Sequence, residues 1–225
     1  MGKNIDEQTT YYDQRAPEYE LLYQGKGPLN LDSGLYRAET IRLCTIVGKF
    51  GKGHLIDIGC GTCFWLPLYA KRCRKVTLLD GSSRMLQECK QKLDVLHLTK
   101  KCHTVHGDFF SVELPHQKYS SALIAFFLSH VPPEREEMFF RKLRHVLKPD
   151  ASVLIIDSVW SSMRRRYNKK EGFQQRTLTD GKTFTIYKRY FDMRDIECLK
   201  RVYRIGLETA HFGDVFFAAR GAFYA

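Results

Sequence analysis

HLIDIGCGTC, residues 54–63, decides the fold. His54–Ile58 is a short apolar strand that runs straight into Gly59-Cys60-Gly61. Two glycines at a strand end allow a tight turn and close approach of backbone to a ligand. The residues that follow predict a helix with Leu66, Tyr69, Ala70 and Cys73 on its inner face.

The same unit recurs outward from this point. KVTLL, residues 75–79, is a second strand ending at Asp80, and its helix carries Leu86, Cys89, Leu93 and Leu96 on one stripe. A third strand near 103–106 ends at Gly107-Asp108. SALIAFFL, residues 121–128, is almost wholly apolar, as a strand covered on both faces should be. Pro133 opens a helix with Phe139, Leu143, Val146 and Leu147 inward, which stops at Lys148-Pro149. SVLII, residues 152–156, is a fifth strand ending at Asp157. Five alternations of strand and helix predict an α/β fold, a parallel sheet with helices on both faces.

Upstream, a helix capped near Asp32 or Ser33 places Leu43, Ile46, Val47 and Phe50 on one side, and Gly51-Lys52-Gly53 ends it. The stretch 25–34 before it is loop-like. Downstream, residues 158–185 are polar, basic and longer than an ordinary α/β connection. Asp192 caps a helix with Ile196 and Leu199. Strand-like segments at 203–209 and 215–219 are separated by so few residues that they can only be antiparallel neighbours.

At 225 residues one domain is the default, and 44% hydrophobic residues suffice for a full core, which excludes a disordered chain. No apolar run approaches the roughly 20 residues of a membrane-spanning helix, and the polar start has no signal core. The expected location is therefore the cytoplasm, with seven reduced thiols. Cys60 and Cys63 are spaced C-x-x-C, yet no second Cys or His pair follows at ligand spacing, so they read as small residues in a tight loop and no metal site is expected.

Ligands of such sheets sit at the carboxyl ends of the strands. Phe64 stands where a dinucleotide fold would place its third glycine, so a pyrophosphate cradle is poorly supported. Asp80 lies 19 residues beyond Gly61, the spacing at which a carboxylate grips a ribose diol. The two strand ends together read as a nucleoside site without a pyrophosphate, with Asp108 at the edge of an adenine amino group.

Residues 55–63 (LIDIGCGTC), Leu79-Asp80-Gly81-Ser82 with Met85, His106-Gly107-Asp108-Phe109, Leu128–Pro132 (LSHVP) and the Lys148-Pro149 turn resemble the ordered motifs of class I S-adenosylmethionine-dependent methyltransferases. The resemblance covers roughly residues 10–157. It implies a Rossmann-like, doubly wound, seven-stranded, mostly parallel sheet with an antiparallel last strand, and S-adenosylmethionine as cofactor. It divides the single domain into an amino-terminal lid (1–34), a cofactor-binding core (35–157), an acceptor-side insertion and helix (158–205) and a closing hairpin (203–225). By resemblance, the backbone at Gly59, Cys60 and Gly61 holds the amino-acid portion, with Asp57 supporting that loop. Asp80 and Gly81 meet the ribose, Ser82 and Met85 line the adenine, and Gly107, Asp108 and Phe109 fix its edge and face. Phe126 or Phe127 sits near the methionine part. Tyr11, Tyr12 and Tyr19 belong to the lid. Cys63 replaces a usual third glycine, and Asp150-Ala151 replaces a glycine pair in a turn that Asp can still form in the left-handed conformation.

The reaction expected is in-line transfer of a methyl group to an O, N or S nucleophile of a small molecule, with an anionic acceptor as one option. His130 follows the fourth strand on the acceptor side and is the candidate base; it could equally cap the helix at Pro133. Tyr11, Asp157 and Arg189 are candidate acceptor contacts, with Lys188 as an alternative anion partner. Asp57 and Asp157 could each serve only as local backbone caps. Net charge is +11, and residues 161–206 contribute +8 of it, 13 basic residues against 5 acidic. That segment holds the run 164–170 (RRRYNKK), which reads first as a solvated face. The alternative is an RNA- or protein-directed methyltransferase using that face. The [DNS]-P-P-[YFW] strand end of enzymes acting on base amines is missing. A non-catalytic nucleoside-binding module is a third possibility.

Overall fold

The computed structural model describes residues 2–24, 26, 32–165 and 169–224, with side chains from residue 7 onward. The expected loop at 25–34 falls mostly outside these residues, as do positions 166–168 of the basic run.

The chain begins with helix α1 (Gly2–Arg15) and a 3-10 helix (Ala16–Gln24). Helix α2 (Ser33–Gly48) starts where Asp32 accepts hydrogen bonds from the backbone of Gly34 and Leu35. Strand β1 (His54–Ile58) leads through the glycine turn to short helix α3 (Leu66–Tyr69), and β2 (Lys75–Asp80) follows. Helix α4 (Ser83–Val95) is capped by Ser82, whose hydroxyl accepts from the Met85 amide. Then come β3 (Cys102–His106), β4 (Tyr119–Ala125), α5 (Pro133–Val146) and β5 (Leu147–Ser158).

The main sheet has the order β3-β2-β1-β4-β5 and is completed at the β5 edge by β9 (Phe216–Gly221) and β8 (Glu208–Phe212). The first five strands pair in parallel. β9 is antiparallel to both β5 and β8, so it alone runs against the other six. The order reverses between β1 and β4, which opens a crevice at their carboxyl ends.

Alternate side chains of the strands feed two cores. Leu55, Leu123 and Leu154 pack with Leu43 and Val47 of α2 and Leu86 and Leu93 of α4. Ile56, Ile124 and Ile155 pack with Phe139 and Leu143 of α5 and with Ile196 and Leu199 of helix α7 (Met193–Tyr203). Burial on both faces is why β4 is apolar almost throughout.

Several sequence expectations need correction. The helix after β1 is a single turn followed by a 3-10 turn at Ala70–Arg72, because few residues separate the glycine turn from β2. Leu96 caps α4 and is 37% exposed rather than buried. β4 stops at Ala125 because Phe126 takes a left-handed conformation, φ 58°. The expected turn at Lys148–Ala151 is instead extended chain within β5, with a register shift opposite Tyr119–Ser121.

The region after β5 holds a feature the sequence reading left unformed. Helix α6 (Ser162–Arg165) precedes an antiparallel pair, β6 (Glu171–Thr177) and β7 (Thr183–Arg189). This hairpin leaves the main sheet and packs on α1 through Tyr11, Leu178 and Ile186. Its signal was present: Asp180-Gly181, with Gly181 at φ 86°, lies next to the strand-prone TFTIYKR run at 183–189. The thiol reading also changes. Cys63 and Cys89 form a disulfide joining the glycine turn to α4, while Cys44, Cys60, Cys73, Cys102 and Cys198 are free.

Candidate active site

Two glycines shape the turn after β1. Gly59 has φ 69° and Gly61 φ 55°, both in the region that favours glycine. A Cβ on Gly59 would lie 2.6 Å from the Phe127 ring, so the backbone there is pressed against the β4 end. Cys63 occupies a third left-handed position at φ 60°, where its disulfide holds a conformation that side chains disfavour.

Asp80 closes this turn. Its Oδ2 accepts from the Gly61 amide at 2.8 Å and its Oδ1 from the Ser82 amide at 2.8 Å. Burial raises its pKa, and those two amides oppose the rise by stabilising the carboxylate. Each oxygen keeps a lone pair for a further donor. The carboxylate therefore ties two strand ends together and still faces the crevice.

That crevice is a cavity of about 770 Å³. Gly59, Gly61, Asp80, Gly81, Ser82 and Met85 form one end. Gly107, Asp108, Phe109, Phe126, Phe127, Tyr12, Tyr19 and His130 also line it, and the Tyr19 ring stands next to Gly61. Most residues anticipated for the cofactor thus meet in one space.

Two anticipated residues stand behind the wall. Asp57 is buried, accepts from the Tyr69 hydroxyl at 2.7 Å, and burial pushes its carboxyl up to about 7. Its Oδ1 finds no partner among the described residues. Cys60 is buried in the turn with its thiol toward the Gly61 carbonyl. Its sulfur lies within 4.8 Å of those of Cys63 and Cys89. The disulfide occupies two of these three sulfurs.

The amino-terminal segment covers the cavity and is fastened at both ends. Asp13 accepts from the Ser82 hydroxyl and the Arg84 amide, and Glu20 accepts from Thr62 and Lys92. Glu7 and Glu18 accept from the backbone of Thr185 and Thr179 on the hairpin. The sequence reading named the tyrosines of this segment and missed these four carboxylates. Their interleaving with aromatic residues was the available signal.

His130 lies in a 3-10 turn (Leu128–His130), with Nδ1 2.8 Å from the Tyr187 carbonyl and Nε2 2.6 Å from the Tyr12 hydroxyl. A carbonyl can only accept, so Nδ1 carries the proton and Nε2 offers its lone pair to Tyr12. Burial, reinforced by Lys188, holds the imidazole pKa well below its usual value, so the ring is neutral. Burial also raises the Tyr12 phenol well above its usual value.

The anticipated acceptor contacts fare differently. Tyr11 is buried against the hairpin, with its hydroxyl accepting from Arg15. Asp157 is fully buried and serves the backbone: Ser129 donates to Oδ2 at 2.9 Å and Ser158 to Oδ1 at 2.8 Å. Lys188 sits 3.5 Å from Oδ1 and donates to the Ser129 hydroxyl at 2.6 Å. Arg189 is a correction. Glu136 at 2.7 Å, Asp195 at 3.0 Å and Glu171 at 3.7 Å surround it, so its charge is already answered.

Comparison with known proteins follows this geometry. Residues 55–150 match the family described as a methyltransferase domain. An uncharacterized methyltransferase of Staphylococcus carnosus (strain TM300) is 23% identical over 187 residues, 80% of this chain and 84% of that protein. A phosphatidylethanolamine N-methyltransferase of Cereibacter sphaeroides is 29% identical over 105 residues, 47% of this chain and 50% of that one. Among solved structures, the DhpI-SAM-HEP complex superposes with a TM-score of 0.78 at 22% identity, covering 97% of both chains. The PH0226 protein of Pyrococcus horikoshii OT3 gives a TM-score of 0.66 at 15% identity, covering 92% of this chain and 99% of that one.

Proposed function

We propose that this chain, a class I S-adenosylmethionine-dependent methyltransferase, methylates an O, N or S nucleophile on a small, anionic acceptor. The observation that carries this reading is the Asp80 carboxylate held between the Gly61 and Ser82 amides, across one cavity from the Tyr12–His130 pair.

The residues present suit the cofactor. A turn with two left-handed glycines brings backbone without side chains up to the cavity, and Asp80 keeps lone pairs for two hydroxyls. The unpartnered Oδ1 of Asp57 beneath the turn can take a proton donor, directly or through water. Ser82, Met85, Gly107, Asp108 and Phe109 line the same cavity, and we assign them to the adenine. When bound, S-adenosylmethionine supplies a methyl group on a positively charged sulfur, open to in-line displacement.

The chain's own part is to align, exclude water and handle a proton. Holding the acceptor against the methyl donor accounts for much of the rate. Tyr19, Phe126 and Phe127 wall the reacting space with aromatic carbon. His130, neutral with its Nε2 lone pair on the Tyr12 hydroxyl, takes the acceptor's proton through that hydroxyl. The fastened amino-terminal segment acts as the lid.

The test is a labelled-methyl screen of metabolite, peptide and RNA pools. Label entering a small anionic metabolite is the expected result. Label confined to RNA or protein contradicts the reading.

A further inference from the structure

A second cavity of about 240 Å³ lies beside the first and shares Tyr12, Tyr19, Phe126 and His130 with it. Four cations from four separate elements face it: Arg15 of α1, Arg164 of α6, Arg176 of β6 and Lys188 of β7. No Asp or Glu lines it among the described residues.

The partners of these cations are nearly all neutral. Arg15 donates to the Tyr11 hydroxyl. Arg176 donates to Gln174 Oε1 at 2.8 Å and the Tyr190 hydroxyl at 3.0 Å. Arg164 is 4% exposed, donates to the Val215 carbonyl at 3.2 Å, and lies 4.7 Å from the centre of the Tyr190 ring. Its Nε is buried and without a hydrogen-bond partner among the described residues. Only Lys188 has a carboxylate, Asp157, which two backbone amides also use. Four cations against one carboxylate leave a net +3 in the wall of a small cavity. Buried charge without a counter-charge is costly, so such a cluster calls for an anion.

Resting on the methyl-transfer reading, the geometry points to this cavity as the subsite for a doubly charged phosphoryl-type oxyanion on the acceptor. A single carboxylate is satisfied by one arginine fork. Donors arriving from four elements suit a tetrahedral group with oxygens in several directions. The partition shared by the two cavities then places the nucleophile of such an acceptor beside Tyr12 and His130. A volume of about 240 Å³ suits one anionic group.

Inorganic phosphate tests this without any methyl acceptor. The protein is saturated with S-adenosylhomocysteine and titrated calorimetrically with phosphate, and with acetate at equal ionic strength. Phosphate should bind at least tenfold tighter than acetate. Arg176→Gln and Lys188→Met should each weaken it at least tenfold, while Arg201→Gln on the surface should leave it unchanged. Arg176 is partly buried in a cluster short of counter-charge, so its variant should unfold at or above the wild-type temperature. Should a variant fail to fold, phosphate must still raise the wild-type unfolding temperature above matched chloride. Acetate binding as tightly as phosphate, phosphate binding insensitive to both variants, or no phosphate effect on wild type each overturns the inference. Failure of S-adenosylhomocysteine itself to bind would instead overturn the methyltransferase reading.

Discussion

Gly61 donates its amide to Asp80 across a gap of 19 residues, at 2.8 Å. One hydrogen bond thus joins the ends of adjacent parallel strands and fixes the loop that a cofactor's amino-acid portion would meet. Hydrogen bonds to a charged group contribute about 1.5–3 kcal/mol each, and Asp80 accepts two from backbone. Asp80→Ala should raise the dissociation constant for S-adenosylmethionine by roughly 100-fold or more. Asp80→Asn should lie between, since its amide keeps one acceptor. Calorimetric titration of the three proteins checks the order.

The glycine turn gives a steric prediction. A Cβ at Gly59 would meet the Phe127 ring at 2.6 Å, and φ is 69° there. Gly59→Ala should weaken cofactor binding and lower the unfolding temperature. Adding Phe127→Ala should relieve the clash but not the backbone strain, so rescue should be partial. Full rescue would show that the ring contact alone mattered.

Asp57 predicts a pH dependence. Its carboxyl is raised to about 7 from an ordinary 3.8, chiefly by burial. The folded state therefore holds the proton more tightly than the unfolded chain between those values. Stability from this group is present at low pH and is lost as pH rises through about 7. Asp57→Asn removes that loss, so its unfolding free energy should gain on wild type between pH 5 and pH 8, by an amount on the order of a few kcal/mol at most. A constant difference across that range would contradict the assignment. His130 works in the opposite sense, since its lowered pKa makes stability fall as pH drops below about 6.5.

His130 also sets the rate profile. A ring held neutral by burial shows no inflection near the ordinary histidine value of about 6.5. Once an acceptor is identified, kcat/KM should stay flat through that region, and His130→Gln should lower kcat by about 10²–10⁴ with cofactor affinity unchanged. An inflection near 6.5 that disappears in His130→Gln would contradict the buried neutral ring. Near-normal turnover in the variant would remove His130 from the mechanism.

The disulfide can be counted. Cys63 and Cys89 are 26 residues apart, a loop whose closure contributes roughly 3 kcal/mol in the chain-entropy picture. Alkylation of the unfolded, unreduced protein should modify five of the seven cysteines, and prior reduction should expose all seven and lower the unfolding temperature. Seven alkylated cysteines without reductant would contradict the bond.

The core of this fold was written plainly in the sequence because short apolar strands ending in Gly or Asp carry their own punctuation. Asp57, Gly59, Asp80 and Asp108 stood out as residues at or just past strand ends, and only Asp80 was marked by spacing as well. The β6–β7 hairpin was obscured because β6 (EGFQQRT) is mostly polar and the hairpin packs on α1, an element distant in sequence. The partners of Arg189 were hidden for the same reason: Glu136 lies on α5, 53 residues away. Arg164 and Arg176 read as part of a basic face because only the folded chain turns them inward, with Arg15, to one cavity. The +8 of residues 161–206 is thus partly internal ion pairing, partly a cavity wall.

Calorimetric titration of the full chain with S-adenosylmethionine and its demethylated product tests the central claim most directly. The account predicts one binding event for each, severely weakened in Asp80→Ala. Folded wild-type protein that takes up neither compound would contradict it.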